Sequence, residues 1–122
     1  METINHEYFV SLEVAKLLKE AGFDWEVEYV YNFGKLIRSV AYPILGNELA
    51  APTLAVAQKW LREVKDVDIM VHIDYHYDEH YSKAYCSTFY IGDDLHTTEH
   101  FKTYEKALEA GIKKCLTILL ED

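Results

Sequence analysis

The chain has 122 residues, enough for one domain and one core but not two. Half of it is hydrophobic and 27% is charged, a globular balance that excludes wholesale disorder. Twelve basic against twenty-one acidic residues give −9, the wrong sign for gripping nucleic-acid phosphates, and no apolar run is long enough to span a membrane.

The first element in chain order is a helix from Ser11 to Ala21. Val14, Leu17, Leu18 and Ala21 recur at helical spacing, Ser11 is the N-cap, and Gly22 supplies the stop. From Trp25 to Phe33 the period changes to two, with Trp25, Val27, Tyr29, Tyr31 and Phe33 on one face of a strand. A turn at Asn32–Lys35 leads into a second strand over Leu36–Tyr42, and Pro43, Gly46 and Asn47 make an irregular connection.

Thr53 caps the second helix, whose buried face is Ala57, Trp60, Leu61 and Val64. Val67 to Tyr77 alternates without a break: Ile69, Val71, Ile73, Tyr75 and Tyr77 against Asp68, Met70, His72, Asp74 and His76. A turn over Asp78–Lys83 precedes a strand over Ala84–Ile91. The last helix, capped by Thr103, carries its apolar stripe on Tyr104, Ala107, Leu108, Gly111, Ile112, Cys115, Leu116 and Leu119. The order αββαββα predicts a single α+β domain over residues 1–122, with helices packed on one face of a mostly antiparallel sheet. Under this arrangement the opposite face of the sheet is accessible and bears tyrosines.

Three helical stretches carry a resemblance: Ser11–Phe23, Ala51–Lys65 with its Ala-Gln-Lys-Trp-Leu-Arg-Glu core, and Thr103–Ile112. Together they resemble segments of a family of small uncharacterised proteins common in prophages and mobile elements of gut anaerobic bacteria. The resemblance covers about a third of the chain, in the right order. It implies a phage or mobile-element setting and a bacterial cytoplasm, and it carries over no activity, cofactor or catalytic residue. The initial ten residues also lack the basic and apolar regions of a secretory leader. Cys86 and Cys115 are accordingly expected as free thiols.

Two constellations could carry function. His72, Asp74 and His76 project from one face if the strand persists, spaced about 6.5 Å apart, close enough for a divalent metal such as zinc. The competing reading is a solvated strand face. The second constellation is aromatic. Trp25, Tyr29 and Tyr31 on the early strand, and Tyr75, Tyr77 and Tyr85 with Tyr81 and Tyr90 on the later hairpin, are more rings than three helices can cover. Rings left exposed would bind a protein partner or a second copy.

No nucleophile elbow, phosphate-cradling loop, zinc-protease helix or dinucleotide fingerprint is present. The expected function is therefore non-enzymatic, a phage or mobile-element accessory protein acting by protein binding and self-association as a homo-oligomer, without a cofactor. The alternatives are a protein that binds or sequesters a small molecule such as a nucleotide, pairing aromatic rings with Lys35 or Arg38, and a metal-dependent enzyme built on His72, Asp74 and His76.

Overall fold

The computed structural model describes residues 4–39, 44, 46–80 and 82–121. A 3-10 turn at His6–Tyr8 precedes α1 (Leu12–Glu20). The chain then runs through β1 (Tyr29–Asn32), β2 (Lys35–Arg38), β3 (Glu48–Ala50) and α2 (Leu54–Val64). It continues through β4 (Met70–Asp74), β5 (Ala84–Ile91), β6 (Asp94–Thr97) and α3 (Tyr104–Glu121). The class is α+β with antiparallel pairing throughout, and the predicted helices and strands occur in the predicted order. Two short strands, β3 and β6, join them, and the six strands divide into two sheets, β2-β1-β3 and β4-β5-β6.

The helices start and stop where their side chains dictate. The N–H groups of Val14, Val56 and Lys106 donate to the hydroxyls of Ser11 (3.2 Å), Thr53 (3.2 Å) and Thr103 (3.1 Å). Each bond satisfies a donor that the first helical turn leaves open. At the end of α1, Gly22 takes φ +97°, and the N–H groups of Gly22 and Phe23 donate back to the carbonyls of Lys19 and Leu18. That pair of bonds closes the helix and turns Phe23 into the core.

One core is shared by all three helices. Val14 and Leu18 of α1, Trp60 and Leu61 of α2, Ile112 and Leu116 of α3, and Phe89 of β5 are fully buried within it. α3 lies along the inner face of β5, where Gly111 brings the two backbones close. A Cβ at Gly111 would stand 2.7 Å from the Ser87 Cβ. The Ser87 hydroxyl donates to the Ala107 carbonyl on the same helix (2.5 Å), so its burial leaves no unpaired polar atom.

Several strand boundaries differ from expectation. The early strand begins at Tyr29 rather than Trp25, because β2 pairs with it only from Tyr29 onward and β3 from Val30. Trp25 and Val27 instead pack, partly buried, against the core. β2 ends at Arg38, and residues 40–42 of the expected second strand lie outside the described residues. The alternating run Val67–Tyr77 yields only the five-residue β4. At its start, Asp66 adopts φ +58° and the Val67 N–H donates to the Leu61 carbonyl, so the chain is still bonded to the end of α2. At its finish, β4 pairs last at Asp74 with Ala84 of β5, and the chain leaves the ladder into a turn where the Tyr77 N–H donates to the Ser82 carbonyl (3.0 Å).

Candidate functional site

Register decides which side chains share each face of the second sheet. Ser87 and Phe89 point inward under α3, so the even-numbered residues of β5 point outward. Met70, Thr88 and Thr97 then stand in one row, with His72 beside Cys86 and Tyr90 beside Leu95. Across this outer face the His72 Nε2 and the Thr88 hydroxyl share a 2.6 Å hydrogen bond. Met70, Tyr90 and Leu95 are 41%, 51% and 54% exposed. None of these seven residues is a carboxylate, lysine or arginine, in a chain that is 27% charged. Asp74 stands at one end of that face, and the exposed Asp68, two residues before Met70, flanks the other.

The six rings expected to form an exposed patch do not converge. Tyr29 is buried, with its ring edge-on to Phe9 at 4.9 Å and the Arg38 guanidinium 5.5 Å from its centroid. Tyr31 is half-buried and donates its hydroxyl proton to the Val10 carbonyl (2.7 Å). Burial and the nearby Glu109 carboxylate push its phenol above the usual value of 10.0. Trp25 packs against Phe23. Tyr85 is half-buried on the inner face, edge-on to Tyr104 at 6.3 Å. Only Tyr75 and Tyr77 are well exposed, in the loop after β4. Tyr77 stacks on His100 at 4.3 Å, and Tyr81 lies outside the described residues. The exposed ring on the outer face is Tyr90, paired with Leu95.

The prospective metal ligands also separate. His72 is on the sheet, hydrogen-bonded to Thr88. Asp74 ends β4, with Oδ2 3.7 Å from the His100 Nε2 and Oδ1 accepting from the His76 backbone N–H (3.4 Å). His76 lies past the end of the strand, so the two-residue period that would align it with His72 stops short of it. Among the described residues, no three His, Cys, Asp or Glu side chains form a group that could hold a metal ion. The proximity of His100 to Asp74 and Tyr77 depends on the β5–α3 connection folding back, for which the sequence offers no local signal.

A groove of about 880 Å³ runs between residues 97–101 and α3, with Phe101 and Ile118 on its walls and Lys106, Lys113, Lys114, Glu99 and Glu109 around them. Its charges are largely engaged. Lys113 pairs with Glu13 (2.8 Å), which holds its ammonium above the usual lysine range. Lys114 donates to the Thr97 carbonyl (2.7 Å), and Glu109 accepts from the Ser11 N–H (3.3 Å).

No protein-family model, curated protein or solved structure matches this chain. No helix among the described residues is long and apolar enough to cross a membrane.

Proposed function

We propose that this is a non-catalytic binding protein that presents the outer face of its second sheet to a partner protein. The observation that carries the reading is the uncharged surface of Met70, His72, Cys86, Thr88, Tyr90, Leu95 and Thr97 on the side away from α3. An interface core is depleted in charge and enriched in Tyr and Met, and this face has that composition with Asp74 at its margin. In the setting implied by the helical resemblance, the protein is an accessory factor of a phage or mobile element and the partner is a host or phage protein.

Native mass spectrometry of the protein purified gently from its own host tests this reading. The expected result is a stoichiometric protein partner, lost from the Tyr90→Arg and Leu95→Glu variants while their folds persist. A second reading, small-molecule binding, is favoured by the groove along α3, where Phe101 stands near three lysines. Retention of a small anion that survives Leu95→Glu but not Lys106→Glu would select it and displace the first.

A further inference from the structure

Phe33 is held in an unfavourable state on two counts. It is 92% exposed, and with φ +51° it occupies the left-handed region that bulky residues avoid. Phe33 and Gly34 (φ +79°) form the two-residue loop between β1 and β2, a position that Asn-Gly serves best. Among the described residues, no ring contact places Phe33 against another aromatic side chain, and it belongs to neither hydrophobic cluster of the fold. A strained, solvated aromatic that contributes nothing to its own core is a candidate anchor for something outside it.

A receptor of matching size lies on the same chain. At the N-terminal end of β1 a cavity of about 250 Å³ is lined by Phe9, Val27, Tyr29, Ala51, Pro52 and Val56. An apolar cavity of about 150 Å³ accepts benzene, so this one has room for a phenylalanine side chain. Glu26 and Glu28 also line it and are exposed, whereas the residue beside the Phe33–Gly34 loop is the exposed Lys35. The hairpin tip is therefore apolar and basic, and the cavity apolar and acidic. Within one chain the length of β1 keeps them apart. A two-fold arrangement of two copies sets each tip against the other's cavity, the reciprocal geometry of a self-complementary interface.

We infer that two copies of this chain associate by reciprocal insertion of Phe33 into the Phe9–Tyr29–Val56 cavity, with Lys35 opposite Glu26 and Glu28. The contact uses the first sheet and is independent of the partner surface on the second.

Sedimentation equilibrium over a range of concentrations tests the inference, using the wild type, Phe33→Asn, the double variant Glu26→Lys/Glu28→Lys and Tyr90→Arg. The wild type is expected to form a reversible dimer. Phe33→Asn weakens it at least tenfold while raising the Tm by a few degrees, because Asn tolerates the left-handed backbone. The charge reversal weakens it, and adding Lys35→Glu restores it. Tyr90→Arg leaves it intact. The inference is overturned by a wild type that stays monomeric, by open-ended growth, or by a Phe33→Asn dimer as tight as the wild type. A dimer dissolved by Tyr90→Arg but not by Phe33→Asn overturns it as well, and assigns self-association to the second sheet instead.

Discussion

In the first sheet the central strand β1 buries two successive residues, Tyr29 and Val30, which point to opposite faces. In the second, β5 buries Ser87 and Phe89 on one face, while on the other it buries only Ala84 at its start and leaves Tyr90 exposed. Both sheets are three-stranded and antiparallel, and both contain a two-residue hairpin loop: Phe33–Gly34 in one and Gly92–Asp93 in the other. The same local chemistry thus produces a strand covered on both sides and a strand open on one side over most of its length. What separates them is tertiary. α3 packs lengthwise on the second sheet, chiefly on β5, whereas β1 is enclosed by the main core on one part and by the small Tyr29–Leu36–Ala51 cluster on another.

That contrast can be broken most forcefully at Phe89. If the inner face of β5 is the structural one, Phe89→Ala costs about 3–5 kcal/mol in urea unfolding, while Leu95→Ala on the outer face changes stability by less than about 0.5 kcal/mol. Equal costs would mean that the outer face is not free.

A smaller effect is expected at Tyr31, where the first sheet meets the core. Its phenol titrates above the ordinary value in the fold, so the fold prefers the protonated form. The associated stability is complete below about pH 10 and is lost as pH rises through the folded value. Tyr31→Phe removes the bond to the Val10 carbonyl and costs about 0.5–1.5 kcal/mol at neutral pH. The variant should then lose less stability than the wild type between pH 9 and 11. Parallel denaturation curves across that window would refute the assignment.

The mildest probe is chemical. Cys115 is buried against the core and its thiol is pushed up to about 12, so it stays unmodified until the protein unfolds. Cys86 is half-buried on the outer face. Native protein should take up one equivalent of a small thiol reagent, and the bound partner should slow that single reaction. Modification of both cysteines at the same rate would show that the core opens rather than the face.

Much of this architecture was legible in the chain. Ser11, Thr53 and Thr103 announced the three helices because capping is a local hydrogen bond, and the apolar stripes announced which faces they bury. The two added strands were less accessible for different reasons. β6 carries a readable signal, since Gly92–Asp93 between Ile91 and Asp94 is a two-residue hairpin loop, with Gly92 at φ +61°. β3 has only three residues, Glu48–Ala50, and is a strand only because β1 lies beside it. The run ending at Tyr77 shows the converse, with the right period but a last pairing at Asp74. The candidate site was legible as an accessible sheet face opposite the helices, but not as the residues that make it. Met70, Thr88 and Leu95 come together only through cross-strand register, and the strain at Phe33 is a property of φ that the identity of the residue conceals.

The bond from the Lys114 ammonium to the Thr97 carbonyl has a consequence for life in a crowded solution. The Thr98 N–H donates inward to Ser87, so by alternation the main-chain groups of Thr97 point away from the sheet, along the rim of β6. An uncapped rim of this kind templates the addition of foreign strands, the first step toward aggregation. By claiming that acceptor, the Lys114 ammonium of α3 closes one of the positions along this border at which a foreign strand would pair.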